Sequence, residues 1–387
     1  MKEVKMLDTI VLSIPKGQYT IFDHDKFEPS TRPLFDYNAL PRPKNLAVFK
    51  QNPTKEDKYN GIYKPRLTIT NRLTPRGWEL PLRVEFSIPK LIYGDNINEV
   101  KETDFEQVAD TLTKRLAEMG VRVFRLFLDK VPVSNINFSK NFALSNYVST
   151  SLILKELEKI NLNDKLDLNK THFRNEGRAV YYYASNNHII FYDKMADINR
   201  PVKRAVDKDK TLQQMSLFET FKKEKMKNDI IRFEVRLNQR QRLKSALKQA
   251  GFNEDPTFQS IFNESLAQKV LLGYWSKAID DNMHIFQLSA TDPTNVLQNI
   301  IRNPKIKVKD ALATLGVKFF VDGSGIKMLK GMIKHRYTDE SWYRFNKIIK
   351  DIANQTFSTN FVTQELKKMK QELIDFKPFK FADLVKT

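Results

Sequence analysis

Two short stretches of the chain carry a carboxylate in a pattern that is typical of a functional sheet face. Glu85 lies in the run 80–90 and Glu234 in the run 230–237, and in both runs apolar and polar residues alternate. Alternation is the period of a half-buried strand, so each glutamate is expected on the polar face of its strand. Two such strands in one sheet would present carboxylates and arginines together, which suits a divalent metal and a phosphate. The same pattern also fits a solvated face with cross-strand ion pairs.

A third candidate lies in the run 188–194. If this run is a strand, His188, Tyr192 and Lys194 share one face. A tyrosine becomes a nucleophile once its proton is removed or its phenolate is stabilised by cations. With Lys194 beside it and a metal nearby, Tyr192 could attack a phosphodiester. The alternative is a tyrosine that packs in the sheet with its hydroxyl hydrogen-bonded.

The composition limits the class of partner. The 387 residues include 65 Lys and Arg against 46 Asp and Glu, giving a formal charge of +19, and this excess is spread along the chain. A dispersed basic excess favours a polyanion, most often nucleic acid, although an anionic membrane surface or a ribosome would attract it as well. The absence of cysteine excludes disulfides and thiolate metal sites.

Other absences narrow the function further. The sequence contains no glycine-rich phosphate loop, which disfavours an ATP-driven helicase or ligase. It has no apolar run of signal-peptide or membrane-span length, so we expect a soluble, cytoplasmic protein with no membrane partner.

The elements that must position these residues follow from periodicity and end signals. Helices are predicted at 103–119, 148–160 and 239–250, and a hairpin at 178–193. Interleaved with the carboxylate strands, they predict an α+β fold, an antiparallel sheet with packed helices. We place this domain at 1–251 and a basic, mostly helical region at 252–387, where 308–335 fits two short helices around a turn at 317–325.

Five segments taken together resemble the replication initiators of filamentous phages, the gene II protein family, and related plasmid or prophage Rep proteins. The resemblance rests on segments that occur in the same order, at 6–15, 83–96, 137–141, 191–194 and 231–237. It spans roughly residues 6–250, with a fainter similarity at 310–350. Each segment alone is a weak signal, and the five in register are moderately specific.

This resemblance implies a rolling-circle initiator that nicks and rejoins one DNA strand in the cytoplasm of a bacterial host. Tyr192 would be the nicking nucleophile that becomes joined to the 5′-phosphate, with Lys194 as its catalytic partner. A Mg²⁺ or Mn²⁺ ion would polarise the scissile phosphate. Its ligands would be Glu85, Glu234 and His188. Flanking DNA would be bound by Arg83, Arg232, Arg236 and Lys140.

The expected partner is single-stranded or supercoiled DNA at a replication origin, with host replication proteins as further partners. Two other functions fit the same residues. One is a non-catalytic protein that binds an origin or single-stranded DNA with this basic surface. The other is an RNA-binding or structural basic protein, because charge alone attracts both kinds of nucleic acid.

Overall fold

The structure is a computed structural model that describes most of the chain. The described residues are 7–35, 47–74, 77–160, 162, 170–174, 177–183, 187–198, 229–252, 255–289, 292–334, 336–356 and 360–380. They form an antiparallel sheet with packed helices, so the prediction of an α+β fold is confirmed.

Twelve strands lie within the described residues. In chain order they are β1 (Leu7–Ile14), β2 (Tyr19–Ile21), β3 (Ala47–Gln51), β4 (Arg66–Thr74), β5 (Gly77–Glu79), β6 (Leu82–Ser87), β7 (Val121–Val123), β8 (Val133–Ala143), β9 (Lys170–Arg174), β10 (Ala179–Tyr183), β11 (Asn187–Asp193) and β12 (Ile230–Leu237). Ten of them form one sheet in the order β3-β4-β6-β1-β8-β12-β11-β10-β9, with β5 paired to β4. β2 and β7 form a separate pair.

Fourteen α-helices lie within the same ranges. They are α1 (Arg32–Phe35), α2 (Lys55–Tyr59), α3 (Ile88–Tyr93), α4 (Phe105–Glu118), α5 (Arg125–Leu128), α6 (Thr150–Glu158), α7 (Lys194–Ile198), α8 (Arg240–Gln249), α9 (Glu264–Ala278), α10 (Met283–Ser289), α11 (Pro293–Ile301), α12 (Val308–Lys334), α13 (Asp339–Thr356) and α14 (Phe361–Asp375). The helices predicted at 103–119, 148–160 and 239–250 correspond to α4, α6 and α8, and the predicted hairpin to β10 and β11.

Alternation along the strands gives the sheet one apolar and one polar face. On β6, Leu82, Val84 and Phe86 are buried, whereas Arg83 and Glu85 between them are exposed. β12 differs, because its polar face is buried as well: Arg232 and Glu234 are only 2% and 1% exposed. Charged side chains this deeply buried need partners within the protein.

Helices from the second half of the chain cover the apolar face. Trp275 of α9 packs against Phe142, Phe191 and Phe233 of three neighbouring strands, with ring centroids 5.5 to 6.1 Å apart. Phe258 packs edge-on against Phe86 of β6. Residues from both sides of position 252 thus belong to one hydrophobic core, in which aromatic contacts dominate.

The predicted turn at 317–325 is much shorter in the structure. Helical backbone continues from Val308 through this stretch, and the break is confined to Gly325, which has φ 75°. An added Cβ at Gly325 would lie 3.3 Å from the carbonyl oxygen of Lys159, and the next residue, Ile326, donates a hydrogen bond to that oxygen. Two helical segments therefore flank a break as predicted, but the break is a single glycine, which permits the bend and the close approach of two backbones, so the first segment is longer than expected.

Residues 199–228 lie outside the described residues, and the short helix α7 directly precedes them. None of the helices in the described ranges is long and apolar enough to span a bilayer.

Candidate active site

A cleft of about 400 Å³ opens on the polar face of the sheet, and we call it the tyrosine cleft. Side chains from β1, β4, β6, β8, β10, β11 and β12 line it, together with α3 and α7. The charged and phenolic members that matter below are Asp8, Glu85, Lys90, Tyr192, Glu234 and Arg236. The structure therefore brings together three residues that the sequence places on separate strands, namely Glu85, Tyr192 and Glu234.

Strand register explains why these residues meet. Tyr192 is opposite Arg232, and Ile190 is opposite Glu234, in the pairing of β11 with β12. Opposed residues of antiparallel strands point to the same face, so Tyr192 lies diagonally next to Glu234. Glu85 reaches the same cleft from β6, beyond β1 and β8.

An ion pair between Asp8 and Arg232 lies at the bottom of the cleft. The two side chains are joined at 2.8 Å, and Arg232 also donates hydrogen bonds to Ser139 Oγ at 2.6 Å and to the Asn96 carbonyl at 2.7 Å. Ser87 donates to the other oxygen of Asp8 at 3.1 Å. Burial disfavours the ionised Asp8, but the charges of Arg232, Lys194 and Lys90 outweigh it and hold the pKa below its usual value.

A second ion pair forms on β12 itself. Arg236 donates two hydrogen bonds to the two carboxylate oxygens of Glu234, at 2.9 and 3.3 Å. The two residues are separated by one position, so they share the face and contact each other along the strand. Burial alone would lower the pKa of Arg236, but the Glu234 carboxylate raises it above its usual value. Glu234 is thus held in an ion pair by two hydrogen bonds.

Tyr192 is partly buried at the edge of this charged group. Burial raises the pKa of its phenol well above the usual value, and Glu234, Asp197 and Asp8 raise it further, whereas Arg232 lowers it. The phenol is therefore protonated at neutral pH in this arrangement. To act as a nucleophile, Tyr192 needs a proton acceptor or added positive charge beside its oxygen.

Lys194 is not on the strand, contrary to the prediction. β11 ends at Asp193, whose carboxylate accepts a hydrogen bond from the Ala196 N–H at 2.8 Å and so acts as the N-cap of α7. Lys194 is the first residue of that helix and is fully buried, with Nζ 5.8 Å from the centre of the Tyr192 ring. Within the described part of the chain Nζ has no hydrogen-bond partner, and burial together with Arg232 lowers its pKa to about 7.

Glu85 differs from Asp8 and Glu234, two of the other carboxylates of the cleft. It is exposed and makes no ion pair or hydrogen bond with a described residue, whereas Asp8 and Glu234 are each paired with an arginine. Within the described residues no group of three or more His, Asp or Glu side chains could hold a metal ion. Mg²⁺, however, usually binds through one or two carboxylates plus substrate phosphates and water. Glu85 fits such an open site, whereas Glu234 lies on β12, beyond β1 and β8, and is paired with Arg236.

Three other predicted site residues lie outside the tyrosine cleft. The ring of His188 packs edge-on against Tyr183, with centroids 5.7 Å apart, and does not line the cleft, so the structure does not group it with Glu85 and Glu234. Arg83 is exposed on the same sheet face but lines a neighbouring cleft. Arg232 lies beneath the cleft, with its guanidinium bound inside the protein.

Lys140 is separated from the predicted DNA-binding surface altogether. It is opposite Phe233 in the pairing of β8 with β12, so it lies on the apolar face. Its ammonium is buried and bonds to Glu99 Oε2 at 2.8 Å and to the Lys377 carbonyl at 2.8 Å. An ammonium with these partners is not available to DNA in this arrangement.

The sequence reasoning missed Asp8 and Lys90. Asp8 is the one acidic residue of β1, and a register shift between Leu7 and Ile10 in the pairing with β8 accompanies its turn toward the polar face. Lys90 follows Pro89 in the first turn of α3 and is buried beside the cleft. A charged residue inside an apolar strand was the available signal for Asp8, since such a residue is seldom buried without a partner.

No protein-family model, curated protein or solved structure matches this chain.

Proposed function

We propose that this protein nicks and rejoins DNA through a covalent bond between Tyr192 and a 5′-phosphate, as a rolling-circle replication initiator. The observation that carries the proposal is the grouping of Tyr192, Glu85 and Glu234 in one cleft with cations around it. The resemblance of five sequence segments to the phage initiators also supports it, and those segments include the same three residues. The protein would act on origin DNA in the cytoplasm of a bacterial host, with host replication proteins as further partners.

The chemistry is a phosphoryl transfer with no net loss of bonds. The Tyr192 oxygen forms a bond to phosphorus, the bond between phosphorus and O3′ breaks, and the phenolic proton leaves while O3′ gains one. In the reverse step a 3′-hydroxyl attacks the phosphotyrosine and restores the strand. A divalent ion held by Glu85 and the phosphate would supply charge stabilisation when bound.

The chain's own residues have distinct roles in this proposal. Arg232 lies opposite Tyr192 and lowers the pKa of its phenol, so it stabilises the phenolate that attacks. Lys194, with a pKa of about 7, can hold or release a proton near neutral pH beside the tyrosine ring. Arg236 holds Glu234 in place by its two hydrogen bonds.

One observation favours a second candidate function, a DNA-binding protein without nicking activity. The pKa of Tyr192 is raised by burial and by three carboxylates, and an acidic environment opposes a phenolate. In that case the same cleft binds a strand of DNA and leaves it intact. The two functions differ in covalent chemistry, not in binding.

The test is a covalent-adduct assay with labelled single-stranded DNA containing origin sequence. We expect a band that survives denaturation, requires Mn²⁺ or Mg²⁺, and is lost in Tyr192→Phe, which removes only the hydroxyl. Tyr183→Phe is the matched control, because Tyr183 lies on the neighbouring strand β10 and does not line the cleft. A band that persists in Tyr192→Phe would move the nucleophile elsewhere. No band while binding remains would establish the second candidate.

A further inference from the structure

A second and larger cleft, of about 1040 Å³, lies on the same face of the sheet, and we call it the basic cleft. Three cations line it, Lys16, Arg83 and Arg240. Among its described lining residues the one carboxylate is Glu79, and the remainder are apolar or uncharged polar side chains. The tyrosine cleft, by contrast, has four carboxylates and four cations among its lining residues.

The two clefts are continuous along the strands. On β6, Arg83 lines the basic cleft and Glu85 lines the tyrosine cleft. On β8, Asn135 lines the basic cleft and Asn137 lines the tyrosine cleft. Residues two apart in a strand are on one face and about 7 Å from each other. A ligand that fills one cleft therefore reaches the other by moving along the strand direction.

The cations of the basic cleft are available to a ligand. Lys16 and Arg83 are exposed and make no ion pair with a described residue. Arg240 is exposed and contacts Asp255 at 3.1 Å, and Asp255 is also paired with Lys244. Exposed pairs of this kind are weak and exchange readily for another anion.

We infer that the basic cleft binds the backbone of single-stranded DNA that continues from the tyrosine cleft. The inference rests on the proposed function only for the position of the DNA strand in the tyrosine cleft. Its test does not depend on that function, because DNA binding is measured without cleavage. Two cations that form no ion pair with a described residue and one in a weak pair, set among hydroxyl and amide side chains, suit successive phosphates. No aromatic side chain is among the described lining residues, so bases do not stack there and binding should tolerate any sequence.

The experiment measures the binding of oligothymidylates of about 4 to 16 nucleotides to the full chain carrying Tyr192→Phe. The test variant adds Lys16→Gln, Arg83→Gln and Arg240→Gln. The control adds Lys114→Gln, Lys309→Gln and Lys367→Gln, three exposed lysines that line neither cleft. Both variants lose the same charge at exposed positions, and a thermal unfolding scan checks that each is folded.

For the chain carrying Tyr192→Phe alone, we expect affinity to rise with oligonucleotide length. In the test variant, affinity should stop rising at a shorter length. For the longest oligonucleotide the loss should be about tenfold to a hundredfold at 0.1 M salt, with a salt slope smaller by about 2, since each phosphate contact contributes about 0.7. The control should lose less and keep its length dependence.

Three results of the DNA-binding measurements would overturn the inference. They are an equal loss for short and long oligonucleotides, an equal loss in the control, and binding of a duplex as tight as that of the single strand. An absent covalent adduct leaves this result untouched, because it bears on the proposed function alone. Tighter binding of RNA than of DNA would assign the basic cleft to a different polymer and also contradict the inference.

Discussion

Two groups of buried charges lie close together on the sheet, and their hydrogen bonding differs. The Glu99 cluster consists of Glu99, Lys140, Asn141 and Phe379, and the Tyr192 cluster of Asp8, Tyr192, Lys194, Arg232, Glu234 and Arg236. In the first, the Glu99 carboxylate accepts hydrogen bonds at 2.8 Å from Lys140 Nζ and from the N–H groups of Asn141 and Phe379. In the second, two cationic groups, Lys194 Nζ and Arg232 Nε, have no hydrogen-bond partner among the described residues, whereas in the first this is true of the neutral amide oxygen Asn141 Oδ1.

This contrast separates stability from function. A buried charge costs free energy unless its hydrogen bonds are satisfied, and Glu99 satisfies them by joining β8 to the C-terminal segment. The Tyr192 cluster retains an unbonded ammonium with a pKa of about 7 and a phenol with a raised pKa. Perturbed groups in a cleft are characteristic of sites that bind or react, whereas a closed network is characteristic of structure.

The largest effect is expected at the Glu99 cluster. Glu99→Ala leaves the buried Lys140 without its carboxylate, so the free energy of unfolding should fall by about 3–5 kcal/mol. Urea unfolding measures this change. Glu340→Ala is the matched control, because Glu340 pairs with Arg344 on the exposed surface of α13 and should matter little. A loss at Glu99 no larger than in the control would contradict the comparison.

At Lys194 we expect a substitution to raise the free energy of unfolding, in contrast to Glu99→Ala. Its pKa is about 7 in the folded chain and near its ordinary 10.5 when unfolded, so the unfolded chain binds more protons between these values. The cost of burying this lysine is therefore greatest at or below pH 7 and disappears toward pH 10.5. Lys194→Met removes the cost and should raise the free energy of unfolding by about 2 kcal/mol at pH 6.

Urea unfolding of Lys194→Met at pH 6 and at pH 9.5 tests this prediction, with a smaller gain expected at the higher pH. Lys318→Met is the control, since Lys318 is equally buried but donates to the Ser289 carbonyl at 3.0 Å and pairs with Asp322. We expect the control to lose stability, because the Ser289 carbonyl and the Asp322 carboxylate both lose the ammonium as their partner. If Lys194→Met also lowered the free energy of unfolding, Lys194 would be a stabilising charge like those of the Glu99 cluster, which would contradict the comparison.

The smallest effect is expected at Glu372, which lies near the Glu99 cluster. Burial raises its pKa to about 7, with Glu365 and Glu99 adding to the rise and Lys140 and Lys368 opposing it. The folded chain then binds the extra proton between pH 4.5 and 7, so stability falls as pH rises through that window.

Glu372→Gln should remove this pH dependence and raise the free energy of unfolding by about 1 kcal/mol at pH 8, after allowance for solvent screening. Thermal unfolding at pH 5 and pH 8 provides the measurement. An unchanged difference between the two pH values in the variant would show that another group titrates there.

The alternation of apolar and polar residues was enough to predict two of the strands and the faces of their side chains. Alternation is a local property, so β6 and β12 could be identified with Glu85 and Glu234 on their polar sides. The same rule applied to β8 places Lys140 in the apolar series with Phe138 and Phe142, which is where the structure has it. The α+β class follows from the order of such elements.

Which of these residues contact each other depends on the tertiary structure. Asp8 is 224 positions (232 − 8) before Arg232 in the chain, and their contact depends on a sheet in which β8 separates β1 from β12. Lys194 left the strand because Asp193 caps a helix, and its pKa follows from burial among distant charges. Strand order, burial and electrostatics are non-local, since they arise from pairing and packing that no short run of residues specifies.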